Sequence, residues 1–127
     1  AIRVSQHLGG RRRLLLAENI GNNGRMSWGF AIVEGLSMVP TLAPGDRVLV
    51  KYGSAFGTDD VVLVKRPDQI DIKRIKRING WDVFVEGDNI HVSIDSRHYG
   101  PVHTKNVIAK VVWRAPRILR KRLTIAG

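Results

Sequence analysis

The sequence predicts an all-β fold with one Asn-Gly hairpin and little helix. Three observations carry this. Between residues 28 and 113 the apolar residues fall in short runs rich in Val and Ile, which suit a pleated, half-buried surface. Turn residues punctuate these runs at Pro44-Gly45-Asp46, Pro67-Asp68 and Gly100-Pro101. No part of that span repeats its apolar residues with the period of a long amphipathic helix. The predicted strands are 47–52, 61–65, 70–78, 81–86 and 107–113. In Ile78-Asn79-Gly80-Trp81, Asn-Gly is the central pair expected of a two-residue type I′ turn, because both residues tolerate positive φ. That turn sets Ile78 opposite Trp81, Arg77 opposite Asp82, Ile75 opposite Phe84 and Lys73 opposite Glu86. Lys73 is thereby delivered to the edge of Gly87-Asp88-Asn89. A basic amphipathic turn or two is expected over 115–123.

A chain of 127 residues is long enough for one domain with a core and too short for two. Hydrophobic residues make up 43%, a globular rather than a disordered composition. The absence of cysteine excludes a disulfide framework, a zinc-thiolate site and a cysteine nucleophile. His7, His91, His98 and His103 show no helical metal-ligand spacing and no matching carboxylate cluster, so neither a metal nor a cofactor is expected.

The net charge of +10 sits on the two ends. Residues 1–27 form a basic N-terminal segment with five arginines against Glu18. Residues 114–127 form a basic C-terminal tail with five cationic side chains and no acid. Residues 28–113, the expected folded domain, are nearly neutral, with 11 basic and 10 acidic side chains. Basic ends suit an anionic membrane surface or a nucleic-acid backbone, with solvated tails as the alternative, and weak peripheral membrane contact is expected. No stretch approaches the ~20 apolar residues of a membrane-spanning helix, so an anchor would lie outside this chain.

Three segments carry candidate chemistry. Glu34-Gly35-Leu36-Ser37-Met38-Val39-Pro40-Thr41 places a serine in a loop before a strand. Ile72-Lys73-Arg74-Ile75 places a lysine among apolar neighbours, where burying an ammonium is costly. Such a lysine either guards a sheet edge or is a desolvated amine with a lowered pKa, able to act as a base. The third segment, 87–102, is dense in small polar side chains that bond to nearby backbone, and Asp95 and Arg97 are placed to pair within it.

Together these segments resemble the type I signal peptidase family, which includes the mitochondrial inner-membrane peptidases. The matching pieces are Gly35-x-Ser37-Met38-x-Pro40-Thr41, Pro44-Gly45-Asp46, Lys73-Arg74, Gly87-Asp88-Asn89, Ser93-x-Asp95-Ser96-Arg97 and Gly100-Pro101-Val102. They span about residues 34 to 113. The resemblance implies a compact signal-peptidase-like β-fold in which Ser37 is the nucleophile and Lys73 the general base, a recognised variant of triad logic. It further implies that Ser93 orients the lysine, that Asp95 and Arg97 support the site as an ion pair, and that Met38 packs beside the nucleophile. The Ser37 backbone N–H would donate to the oxyanion. Some members carry a hydroxyl two residues before the nucleophile; here Gly35 stands there. Lys73 is preferred over Lys76, which lies nearer the turn, and Lys51 and Lys65 have no comparable support.

The family's inserted β-domain and usual membrane anchor are absent from this sequence. In compactness the chain is similar to proteases that mature nickel superoxide dismutase. The expected partner is a precursor protein or peptide, bound as an extended strand and cut to remove a leader or N-terminal extension. A soluble, cytoplasmic maturation protease for one specific protein is an alternative. A self-cleaving repressor-type peptidase uses the same dyad but generally lacks the segment from Gly87 to Arg97. A basic nucleic-acid-binding β-barrel is a reading of another class. The nearly neutral middle and the 6% aromatic content oppose it, so no nucleic acid is expected.

Overall fold

The computed structural model describes residues 27–115 throughout, and the backbone of residues 2–8 and 11–14. Its strands are β1 (Ile2–Leu8), β2 (Arg11–Leu14), β3 (Ser27–Val33), β4 (Arg47–Tyr52), β5 (Val61–Arg66), β6 (Gln69–Asn79), β7 (Asp82–Glu86), β8 (Val102–His103) and β9 (Val107–Ala115). A single helical turn, α1 (Ser96–Tyr99), and a 3₁₀ turn (Thr104–Asn106) interrupt them. All the strands join one antiparallel sheet in the order β2-β1-β3-β4-β9-β5-β6-β7-β8. The fold is therefore all-β, as the sequence predicts. The amphipathic turn expected over 115–123 falls almost wholly outside the described residues.

The five predicted strands are present, with ends that match to within two residues. β3 was not predicted from the sequence, because its pattern is inverted. Gly29, Ala31 and Val33 face inward, while Trp28 and Phe30 are exposed. Small residues inside and aromatic residues outside do not read as an amphipathic strand. β1 and β2 lie within the segment marked in the sequence by its charge alone, and β1 pairs with β3.

Strands β5 and β6 are covered on both faces. On one face Leu63 and Ile72 join Ala31, Val33, Val48, Val50 and Tyr52. On the other, Val62, Val64 and Ile75 pack with Val83 and Val85. The sheet also curls enough to bring β1 close to β6. Met38 and Leu42, from the loop after β3, plug into the first of these clusters. Burying an aliphatic side chain of this size contributes about 1.5–3 kcal/mol, so two of them anchor that loop firmly.

The hairpin differs from the predicted register. Asn79 pairs with Asp82, so the central residues are Gly80 and Trp81 rather than Asn79 and Gly80. Gly80 has φ +62° and Trp81 is not left-handed, the pattern of a type II′ rather than a type I′ turn. Contacts made by the tryptophan account for the shift. Its ring stacks on His103 with centroids 5.6 Å apart, and its carbonyl accepts from Thr104 N at 2.9 Å. Ile78 then faces Val83 and Arg77 faces Phe84, where the guanidinium lies 4.1 Å over the ring. A register shift between Ile75 and Arg77 sets Ile75 opposite Val85 and Arg74, not Lys73, opposite Glu86. Lys73 consequently lies just beyond the end of β7, level with Gly87.

Candidate active site

Lys73 shares a face of β6 with Ile75 and pairs across to Val62 on β5. Its stem is thus embedded in apolar surroundings, and the residue is 3% exposed. Burial pushes the amine below the ordinary lysine range, against the nearby Asp71 and Asp95 charges, which favour the ammonium. Lys76, the alternative, is exposed at the register shift.

The segment after β7 covers this lysine. Lys73 Nζ donates to Ser93 Oγ at 3.0 Å. Ser93 Oγ donates its only proton to Asp95 Oδ2 at 2.6 Å and also accepts from Gly87 N at 3.1 Å. With that proton committed, the serine meets the lysine only as an acceptor. Asp95 takes donors from Ser93, from Gly87 N at 2.9 Å, and from Arg97 through its backbone N, Nε and Nη2 at 3.1, 2.9 and 2.8 Å. It also caps the N-terminus of α1. Burial alone would raise its carboxyl pKa; the bonds from Arg97, Ser93 and the backbone outweigh that and hold it well below the usual carboxylate range. Gly87 has no room for a side chain. A Cβ there would overlap the Ser93 side chain and the Ser37 carbonyl oxygen.

Ser37 sits half-buried on the loop between β3 and β4. That loop is held through its backbone. Asn89 N donates to the Ser37 carbonyl at 2.8 Å, and Asn89 Nδ2 to the Leu36 carbonyl at 3.1 Å. Met38 is fully buried, and its sulfur receives the Asp88 N–H at 3.5 Å. Thr41 Oγ1 donates to Asp88 Oδ2 at 2.5 Å, and Arg74 grips both oxygens of Asp88 at 2.8 Å. The Arg74 contact is the main reason the Asp88 carboxyl pKa is lowered. Gly87-Asp88-Asn89 therefore ties the serine loop to the residue after Lys73. This latch was missed as a role in the sequence, although the triplet itself was visible there.

Ser37 and Lys73 line one open cleft of about 400 Å³, together with Gly35, Leu36, Gln69, Asp71, Val92 and Ile94. No hydrogen bond joins Ser37 Oγ to Lys73 Nζ directly. Catalytic bonds are often long in free enzymes and tighten on substrate. The sequence-predicted residues thus gather at one place. Gly35, Ser37 and Lys73 border the cleft, Ser93, Asp95 and Arg97 stand behind the lysine, and Met38 lies beneath the serine loop. Asp71 was not singled out in the sequence, though its place two residues before Lys73 was a usable signal. Among the described residues no group of His, Asp and Glu is arranged to hold a metal ion, and no helix is long and apolar enough to cross a membrane.

The chain is similar to known proteins. The profile of the Peptidase S24-like family matches residues 6–112. Mitochondrial ATP-independent inner membrane protease subunit 1a of Arabidopsis thaliana is 34% identical over 114 residues, covering 65% of this chain and 67% of that protein. Mitochondrial inner membrane protease subunit 2 of Schizosaccharomyces pombe is 32% identical over 108 residues, covering 63% of this chain and 60% of that protein. Signal peptidase I V of Bacillus subtilis is 29% identical over 135 residues, covering 62% and 80%. The chain thus spans about two-thirds of these mitochondrial relatives. It belongs to the Peptidase S24-like family and is a peptidase of the signal-peptidase type.

Proposed function

We propose that this chain is a serine endopeptidase that removes a leader or N-terminal extension from a precursor protein, with Ser37 as nucleophile and Lys73 as general base. The observation that carries the proposal is the buried lysine. Its amine borders the same cleft as Ser37 and is oriented by a serine whose own proton is already committed. A neutral amine so held keeps its lone pair for the cleft. It takes the proton of the Ser37 hydroxyl as the oxygen attacks the scissile carbonyl, then returns a proton to the leaving amine. Water completes the cycle by hydrolysing the acyl-serine ester through the same base.

The substrate lies as an extended strand. Residues 69–73 of β6 pair with β5 on one edge, while β7 occupies the other edge only from Arg74 onward. Gln69, Asp71 and Lys73 of this stretch line the cleft, where a peptide adds by main-chain hydrogen bonds. Side chains alternate along it, so every second residue before the cut meets the protein, and the resemblance to signal peptidases implies small ones there. Peripheral contact with an anionic membrane through the basic ends accords with relatives that are inner-membrane proteases. Vesicle sedimentation at low and high salt, with and without those ends, tests that part.

A precursor-peptide library incubated with the protein tests the activity itself. Cleavage after small residues is expected, Ala before the cut outpacing Phe, and Ser37→Ala and Lys73→Ala should be silent. Equal cleavage after Ala and Phe would sink the small-pocket reading. Undiminished cleavage by Ser37→Ala would sink the mechanism.

A further inference from the structure

Strand β6 carries a carboxylate that this mechanism does not use. Asp71 lies two residues before Lys73, so both occupy one face of the strand, with Cα atoms roughly 7 Å apart. It is 2% exposed and borders the cleft shared by Ser37 and Lys73. Gln69 Nε2 donates to its Oδ1 at 2.5 Å, and Arg66 Nη1 lies 3.4 Å from its Oδ2. The same guanidinium sits 3.9 Å over the Tyr99 ring. Lys73 therefore stands between two acid–arginine pairs, Asp71–Arg66 on the strand side and Asp95–Arg97 on the loop side.

The pairs are unequal. Arg97 grips both oxygens of Asp95 with bonds of 2.9 and 2.8 Å, whereas Arg66 reaches Asp71 through one nitrogen at 3.4 Å. A short two-pronged contact cancels more of a carboxylate's field than a single long one. The Asp71 contact with Arg66 is thus the longer of the two acid–arginine contacts flanking the amine.

We propose that Asp71 is a positioning residue for Lys73: its buried carboxylate stabilises the ammonium that forms when the lysine takes the serine proton, and Arg66 and Gln69 fix that carboxylate in place. This rests on the reading of Lys73 as the base. Asp71 itself neither gains nor loses a proton in the step. The groups facing Lys73 are Asp71 from β6, Arg66 from β5, Ser93 and Asp95 from the covering loop, and Arg97 from α1. His98 reaches Asp95 at 3.8 Å. Tyr99, its hydroxyl pushed up to about 12 by burial and then by Asp71, stays neutral throughout the working range. After burial, which lowers the Lys73 pKa, the acids raise it and the arginines lower it.

The test titrates Lys73 in the full chain by the side-chain chemical shift of isotope-labelled lysine, in the unmodified protein, Asp71→Asn and Arg66→Gln. The pH dependence of peptide cleavage is measured in parallel. Asp71→Asn should move both the titration and the rising limb of activity to lower pH, and lower the plateau roughly tenfold. That is less than the 10²–10³ loss of a direct oxyanion donor. Arg66→Gln should move both curves to higher pH. Its side chain is partly exposed, so this variant should fold, and because Arg66 also acts on Lys73 directly its upward shift supports the proposal only beside the downward shift of Asp71→Asn or, should that variant not fold, beside an unshifted Asp71→Glu. Two variants that titrate like the parent, or that shift in the same direction, overturn the proposal. A parent chain that cleaves no peptide would instead overturn the peptidase reading, and opposite shifts of the Lys73 titration would then show only that Asp71 stabilises its ammonium.

Discussion

In residues 87–99 the key polar side chains are buried and bound to one another; in residues 34–42 it is the backbone that is bound, while Ser37 borders the cleft. Ser93 and Asp95 are 3% and 0% exposed, and each is filled with partners. Ser37 is half-buried, and the contact that fixes it is to its carbonyl. The difference matches the roles proposed for Lys73 and Ser37. A base needs a dry, over-determined site that lowers its pKa and aims one lone pair. A nucleophile needs a fixed position and an open approach.

The largest effect that would break this comparison is on activity. Ser37→Ala and Lys73→Met should each reduce cleavage by about 10³-fold or more, as loss of a triad member does. Stability should separate them. Ser37→Ala should be nearly neutral. Lys73→Met should gain stability at neutral pH, because a buried amine of lowered pKa binds its proton less readily than the unfolded chain does. That penalty disappears only above the ordinary lysine value of ~10.4, so the two melting curves should converge at alkaline pH. A Lys73→Met protein less stable than its parent at pH 7 would contradict the desolvated amine.

Asp95→Asn probes the buried side. Removing one partner from a buried pair costs about 3–5 kcal/mol, here toward the lower end because Arg97 is partly solvated. Since the folded carboxyl is depressed, its stabilisation is present above the unfolded value of ~3.9 and is lost as pH falls toward the folded one. Denaturant melts from pH 6 to pH 2 should therefore show a steep acid loss in the parent and a shallower one in Asp95→Asn. Parallel curves would mean that Asp95 is not the acid-sensitive group.

Gly87→Ala joins both regions, since the new methyl meets Ser93 on one side and the Ser37 carbonyl on the other. Overpacking of this kind costs about 1–3 kcal/mol, and activity should fall because both Ser93 and Ser37 must shift. The smallest change should come from Asp88→Asn. It weakens the Arg74 and Thr41 latch by about 1–2 kcal/mol. Turnover should drop with the Lys73 titration unmoved, because the latch positions the serine and leaves the base alone. An equal shift in the pH profile would show that the two regions are not separable.

Much of this was legible in the sequence. Turn residues and Val/Ile runs marked the five central strands, and the wording around Ser37, Lys73 and Ser93–Arg97 named the residues that converge on the cleft. β3 was not legible, since its small residues face in and its aromatic ones face out. The hairpin register was not either, because a local rule for Asn-Gly lost to the stacking of Trp81 on His103. The latch through Asp88 spans 47 residues to Thr41, and no local pattern announces so distant a hydrogen bond. Asp71 escaped notice because a lone acid in a strand reads as solvent-facing until alternation is counted from Lys73.

The most direct measurement is to trap the acyl-enzyme. The full chain is mixed with a cleavable precursor peptide, acid-quenched within one turnover, digested and mapped by mass spectrometry. A single ester-linked acyl group on Ser37 is expected, absent in Ser37→Ala and strongly diminished in Lys73→Met. Its yield should rise with pH along a limb below the free-lysine range. Peptide cleavage with no adduct on Ser37, or an adduct unchanged in Lys73→Met, would contradict the serine–lysine account.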